Sequence, residues 1–418
     1  MMQRKTQLSA AVGAALLALG TTAFAQTPPT VQVYGQVSRA LMHADDGTQN
    51  KWFHVDNEAS GTRLGVTGVG QAIPGLRAGF RIEFDFQSNE SQRVTFTPQA
   101  GTTGPQSSFS AADEDHGGFA ERHADAWVEG SWGRINIGQG DGASNGATES
   151  DLSGTGMANG IGVADLGGGI NYRNLATGAL GPNVNSTINQ QDFESRYDRL
   201  MYVTPTFGGL RAQISWGQKP ASGVTPTATV TGATPATPGG AVTTASAQSV
   251  SANTDVKEAS LWYGAKMGGL GEVAAAAGYS TRGASGPGLT HDVYWGGSAS
   301  WLHTSGFNVT GSYSARDQPT TTAGATVRKS KFTYLKIGYK AGPHAIAIDT
   351  AWGDDFGAAG DEAKMWGIGY VWNPLRFLEL YAAYKVHSLD AGSGREVAGV
   401  KPNFEDVKIT TIGTRVRF

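Results

Sequence analysis

A membrane-spanning antiparallel β-barrel of about sixteen strands is the fold this sequence predicts. Three observations lead there. Alternation with a period of two recurs along nearly the whole chain, the connections between alternating segments are short and long in turn, and no stretch beyond the amino terminus is apolar enough for a membrane helix. The stretch Leu76–Gln87 sets the pattern. Leu76, Ala78, Phe80, Ile82, Phe84 and Phe86 fall on one parity, and Arg77, Gly79, Arg81, Glu83, Asp85 and Gln87 on the other. A strand puts these sets on opposite faces, the first suited to a core or lipid tails, the second to bulk solvent or an aqueous lumen.

The chain opens with a basic pair, Arg4 and Lys5, an apolar run from Leu8 to Gly20, and the small-residue site Ala23-Phe24-Ala25. This reads as a secretory signal over residues 1–25, with the barrel occupying 26–418. Its apolar run is shorter than the roughly 18–20 residues a membrane anchor needs. Without those 25 residues the chain carries 30 basic and 35 acidic side chains, a net charge of about −5, which argues against a nucleic-acid partner. Cysteine is absent, which excludes disulfides and thiolate chemistry, and the 60 glycines follow no collagen-like register.

Strands are expected near 31–42, 62–70, 76–87, 121–131, 133–139, 196–204, 209–218, 257–267, 270–281, 291–303, 306–316, 330–340, 343–353, 362–372, 375–388 and 405–418. In 121–131 either parity can be argued. Short connections carry turn residues, as in Trp132-Gly133, Gly268-Gly269, Ala341-Gly342-Pro343 and Asn373-Pro374. Longer polar loops fall near 43–61, 88–120, 140–195, 219–256, 282–290, 317–329, 354–361 and 389–404. Short turns at one end and long loops at the other describe an outer-membrane barrel with its turns in the periplasm. Tyr34, Trp132, Phe207, Trp301, Trp352, Trp372, Phe377 and Phe418 lie near expected strand ends, where interfacial girdles require aromatics. The Thr/Ala/Pro/Gly-rich loop 219–256 reads as a mobile exterior loop.

The stretches Val33-Tyr34-Gly35-Gln36, Ser60-Gly61-Thr62-Arg63-Leu64-Gly65-Val66-Thr67-Gly68, Arg122-His123-Ala124-Asp125, Ile137–Glu149, Tyr202–Leu210 and the terminal Arg417-Phe418 together resemble a general-diffusion porin of Gram-negative bacteria, with an alphaproteobacterial-like branch as the nearest pattern. The chain departs from many enterobacterial porins in lacking Pro-Glu-Phe-Gly in the third loop. The resemblance implies an outer-membrane channel for passive diffusion of small hydrophilic solutes and ions, with no cofactor. It also implies a homotrimer in contact with outer-membrane lipid and lipopolysaccharide. Ala124, Ala126, Val128, Ala275 and Ala277 are candidate contact positions, and Phe418 resembles the end read by the outer-membrane assembly machinery. A substrate-selective channel of similar build is the alternative.

In such porins the third loop folds inward and narrows the pore. Here it carries Asp141, Glu149, Asp151 and Asp165, and the inward parity across the lumen offers Arg63, Arg77, Arg81, Arg199 and Lys336. Arg63 and Arg122 fall where the family carries constriction arginines, and Arg199 is a looser match. The constriction set is therefore Arg63, Arg81, Arg122, Arg199, Asp141, Glu149 and Asp151. Cations on a wall facing carboxylates on a loop make a transverse field across the gap; the same charges could also simply pair and hold the loop down. The negative mature charge suggests a mild cation preference. Gly142-Ala143-Ser144-Asn145-Gly146 matches G-x-S-x-G, but the residues after Gly146 offer no apolar helical face, so an enzymatic elbow is not expected. The histidines show no metal-ligand spacing, and His116 and His123 read as surface or wall residues.

Overall fold

The computed structural model describes residues 29–96, 120–220, 253–284, 289–320 and 325–418. Residues 1–25, His116 and nearly all of loop 219–256, with the expectations for them, lie outside these described residues. Within them the chain forms β1 (Thr30–Asp45), β2 (Asn50–Asp56), β3 (Arg63–Ile73), β4 (Leu76–Asp85), β5 (Ala120–Gly130), β6 (Gly133–Asp141), β7 (Asn171–Arg173), β8 (Leu180–Asn183), β9 (Arg196–Val203) and β10 (Leu210–Pro220). It continues with β11 (Asn253–Lys266), β12 (Glu272–Arg282), β13 (Asp292–Leu302), β14 (Phe307–Asp317), β15 (Lys329–Ala341), β16 (His344–Asp354), β17 (Glu362–Leu375), β18 (Leu378–Asp390) and β19 (Val407–Arg417).

Seventeen of these strands pair in one antiparallel sheet, which closes where β1 meets β19 with Gln36 opposite Arg417 and Asp45 opposite Lys408. Both β2 and β3 pair with β1 along its other edge, and a short 3-10 turn over Glu58–Ser60 separates them. They are two halves of one stave, so the barrel has sixteen staves. Each expected segment coincides with a stave to within a few residues. The exception is Asn50–Asp56, expected as loop. It forms a strand because Thr30–Asp45 is long enough to pair with both halves.

The alternation sorts as a barrel requires. On β16 Ile346 and Ile348 are exposed while Ala345, Ala347 and Asp349 are buried; Val31, Ile137, Leu200, Ile214 and Ile412 are likewise exposed on the outer face. That outer band is matched to lipid tails, and closure leaves no unpaired edge within the membrane. Trp132, Phe207, Trp352, Trp372, Phe377 and Phe418 belong to this exposed surface near strand ends. Tyr34 does not: its hydroxyl donates to Glu83 Oε2 at 2.8 Å, so it faces the lumen, and its place in the expected girdle is corrected. Ala124, Ala126, Val128 and Ala277 point outward. They form two patches, because β6, β9, β10 and β11 separate β5 from β12 along the sheet.

The core lies inside the barrel. Gly142–Ser195, which contains the β7–β8 hairpin, packs Met157, Ile161, Val163, Leu166, Ile170, Tyr172 and Ile188 against Met42, Phe53, Phe332, Met365, Leu389 and Ile409 of the wall. Each such aliphatic side chain taken out of water contributes roughly 1.5–3 kcal/mol. The loop thus covers one side of the lumen wall and leaves the other side uncovered.

Candidate functional site

The inner loop is held by the wall's small polar residues. Inward serines of β10 to β14 meet its main chain: Ala143 N–H donates to Ser215 Oγ (2.9 Å), Ser150 N–H to Ser298 Oγ (2.8 Å) and Leu152 N–H to Ser300 Oγ (2.9 Å). In the other direction Ser298 Oγ donates to Ala147 O (2.8 Å) and Ser312 Oγ to Thr148 O (2.7 Å). These serines occupy the buried parity while Trp295, Leu261 and Ile214 occupy the exposed one, so the loop lies on the inner face. A second anchor is ionic. Lys336, whose side chain is fully buried, places Nζ 2.6 Å from Asp151 Oδ2 and 2.7 Å from Asn159 O, while Asn159 Nδ2 donates to Asp349 Oδ1 at 2.6 Å. Gly369 permits this approach, because a Cβ there would collide with the Asn159 amide. Burial opposes ionisation of Asp151, but the Lys336 ammonium and hydrogen bonds at Ser153 hold its carboxyl below the usual range.

The uncovered wall, β3 to β9, carries the charges. Arg122 Nε lies 2.7 Å from Glu83 Oε1 and its Nη1 2.9 Å from Asp85 Oδ2; Arg63 Nη1 is 3.8 Å from the same Glu83 oxygen. Arg81 reaches Asp141 (3.5 Å) and Asp125 (3.7 Å), and Arg196 Nε reaches Asp141 Oδ1 at 3.0 Å. The register of β4 against β5 shifts between Glu83 and Phe84, where His123 and then Glu121 are the successive partners. That irregularity turns Arg122 and its neighbour His123 both inward, which is why parity in this strand is ambiguous in the sequence. His123 is a buried wall residue.

Of the loop's other acids, Glu194 pairs with Arg282 and Lys219 and Asp192 accepts from Gly146 N–H, while Glu149 and Asp165 face open space. Among the described residues neither Glu149 nor Asp165 forms an ion pair; Glu149 accepts only a long hydrogen bond from Gln190 Nε2, at 3.3 Å. Both line a water-accessible chamber of about 620 Å³ with Lys340, Glu379, Arg415 and Arg417. Enclosure by the barrel, then the charges of Glu58 and Glu149, push the Asp165 carboxyl well above its ordinary range; enclosure also raises Glu149.

The expected site residues thus fall into three groups. Arg63, Arg81, Arg122 and Asp141 come together in one ion-paired cluster on the wall. Glu149 stands on the loop and forms no ion pair among the described residues. Asp151 stands apart from the cluster, facing Lys336 rather than Arg63, because the inward parity of β15 brings that ammonium against the loop, and Arg199 backs the cluster through Asp125, which Arg81 also reaches. Arg199, nearly buried, donates to the carbonyls of Gly138 and Asp141 and pairs with Asp125 at 3.0 Å, bracing the wall. Sequence reasoning missed Arg196 in the cluster because it shares the parity of outward Leu200; it stands at the very start of its strand, opposite Asp141, and reaches that carboxylate from there. Ser144 is buried with its hydroxyl 3.0 Å from the carbonyls of both Ala259 and Tyr279. Among the described residues no group of three or more His, Cys, Asp or Glu side chains is arranged to hold a metal.

A closed sixteen-stave barrel with an apolar exterior, a charged interior and an inner loop is a transmembrane channel protein. Residues 10–392 match the family model of the Gram-negative porins, and the chain belongs to that family. It is an outer-membrane porin, forming a water-filled channel for diffusion of small hydrophilic solutes and ions. No curated protein matched the chain. Among solved structures it is similar to the anion-selective porin from Comamonas acidovorans, at 17% identity and a TM-score of 0.59, covering 94% of this chain and 100% of that one. It is also similar to the outer membrane channel DcaP of Acinetobacter baumannii, at 13% identity and a TM-score of 0.54 over 93% and 97% of the two chains. The trimer form of OmpT from Vibrio cholerae matches at 14% identity and a TM-score of 0.53, over 94% and 100%. At such identities these likenesses speak to the fold.

Proposed function

We propose that this porin filters solutes at the gap between the wall cluster of Arg63, Arg81, Arg122, Arg196 and Asp141 and the loop carboxylates Glu149 and Asp165. The observation that carries the reading is the asymmetry of pairing. The wall arginines are ion-paired with Glu83, Asp85, Asp125 and Asp141, whereas Glu149 and Asp165 form no ion pair among the described residues. Unpaired carboxylates within low-dielectric walls draw cations, and the paired cluster opposite supplies a transverse field that favours dipolar solutes. The result is a mild cation preference. The single-channel current of the purified protein in a planar bilayer tests this. Stepwise open levels with a reversal potential on the cation side support it, and open levels with a clear anion preference overturn it.

The channel carries no catalytic step on this reading; the Ser144 hydroxyl lies against main-chain carbonyls. The protein works as a homotrimer seated in lipid and lipopolysaccharide, with the outward Ala124, Ala126 and Val128 of β5 in a subunit contact. It reaches the outer membrane after cleavage near Ala25, and Phe418 is read by the assembly machinery. The exposure of Phe418 and the reciprocal main-chain hydrogen bonds between it and Gly35, 3.0 and 3.1 Å, support that last role, since they tie the terminal residue to the first stave.

A further inference from the structure

A second chamber, of about 630 Å³, opens on the short-turn side of the wall cluster between β3 and β11. Five arginines and three carboxylates line it. Arg77 is neutralised by Glu129 at 2.6 Å, Arg199 by Asp125, and Arg81 by Asp141. Arg134 and Arg211 form no ion pair among the described residues. Each lies over an indole instead, Arg134 at 3.9 Å from the Trp127 ring centre and Arg211 at 5.7 Å from that of Trp262. Gly79 stands opposite Trp127 across the strand pair, and a Cβ there would collide with the ring, so glycine is what lets the indole lie against the wall. Arg211 Nη2 is 3.2 Å from the Gln213 amide oxygen when that amide is oriented to suit its neighbours. Three donors remain without an acceptor: Arg134 Nε, Arg211 Nε and Nδ2 of Asn136, which is 4% exposed and directly opposite Trp127 on the next strand.

Buried donors without acceptors are costly, and two uncompensated guanidinium groups against a low-dielectric wall favour an anion. The flat surfaces of guanidinium and indole favour a planar body over a bulky one. We propose that this chamber is a binding subsite for small planar organic anions of the aromatic-carboxylate class, with Arg134, Arg211 and Asn136 taking the carboxylate and Trp127 and Trp262 the ring. The proposal rests on the porin reading, and it adds a station that retards one class of permeating solute on the short-turn side of the filter.

Blockade of the single-channel potassium chloride current by three probes tests it: benzoate, cyclohexanecarboxylate (charged but not planar) and benzyl alcohol (planar but neutral), each added to either compartment in turn. Benzoate should reach half-blockade at a concentration about tenfold or more below either control, a difference within reach of one charge-assisted contact and one stacking face. Arg134→Gln combined with Arg211→Gln should raise the benzoate value about tenfold, each protein being compared with its own unblocked current. Equal blockade by benzoate and cyclohexanecarboxylate in the native protein overturns the proposal without needing any variant, and so does an unchanged benzoate value in the double variant. Absence of channel current from the native protein would instead remove the porin reading, and the subsite with it.

Discussion

Replacing Lys336 by methionine should loosen the inner loop while leaving the barrel intact. The ammonium is fully buried and touches Asp151 Oδ2 at 2.6 Å, Asn159 O at 2.7 Å and Thr155 Oγ1 at 3.4 Å, so one side chain ties three loop residues to β15. Removing one member of a buried pair costs about 3–5 kcal/mol, chiefly because the other charge is left uncompensated. Asp151 is 14% exposed and water reaches it from the lumen, so the lower end of that range applies here. About 3 kcal/mol corresponds to a hundredfold shift or more in the docking equilibrium. Hydrogen exchange reads that equilibrium directly. The amides of Leu152, held by Ser300 Oγ, and Asn159, held by Thr155 O, should exchange about a hundredfold faster, and those of β15 should not. Pairing the change with Asp151→Leu should recover most of the protection, because replacing both members of a buried ion pair by apolar groups is often close to neutral. Unchanged exchange in Lys336→Met, or a double variant that exchanges as fast as the single one, would refute the assignment of Lys336 as the loop's anchor.

Three further outcomes are expected. Because Asp165 and Glu149 bind protons more tightly than ordinary carboxylates, they are charged at high pH and neutralise as pH falls through their raised values; cation preference should therefore weaken on acidification before ordinary carboxylates titrate, and a reversal potential that stays flat until that range is reached would contradict this. Gly369→Val should push Asn159 off the wall and speed exchange across residues 150–162, as the anchor variant does; normal protection there would show that the close approach is dispensable. Deleting Phe418 should lower the yield of folded, heat-modifiable protein in outer membranes, and an undiminished yield with full trimer content would count against its role in assembly.

Strand positions were legible because a barrel wall imposes one rule at every residue, lipid on one side and lumen on the other, and period-two alternation records it. The chain of Ile346, Ile348 and Thr350 against Ala347, Asp349 and Ala351 is readable without coordinates. Where the rule is broken locally the reading failed. Asn50–Asp56 lacks a hydrophobic alternation of its own and is a strand because β1 offers a second length of edge. Arg122, which the family resemblance put in the constriction set, joins the wall cluster through an irregularity in register that its own parity does not announce. Tyr34 looked like an interfacial aromatic, yet its hydroxyl is taken by Glu83 inside the lumen. The loop was harder. That it carries acids was evident, but which acids are spent on anchoring depends on where β15 points Lys336, so Asp151 and Glu149 looked alike in sequence and are treated differently by the fold. Arg134 and Arg211 drew no notice because their significance lies in the partners they lack.

At the centre of the proposed filter, the loop carboxylate Glu149, the wall carboxylate Asp141 and the wall arginines act on the same permeating ion. The reversal potential in a potassium chloride gradient, compared among the native protein, Asp141→Asn combined with Glu149→Gln, and Arg63→Ala, tests this most directly. A unit charge about 5 Å from an ion in water is worth about 0.8 kcal/mol before screening, enough for a several-fold change in permeability ratio. The acid double variant should move the reversal potential toward anions, since Arg81 and Arg196 lose the carboxylate between them, and Arg63→Ala should move it toward cations with a larger conductance. If both leave the reversal potential and the conductance where the native protein has them, permeating ions do not pass between these groups and the site lies elsewhere in the barrel.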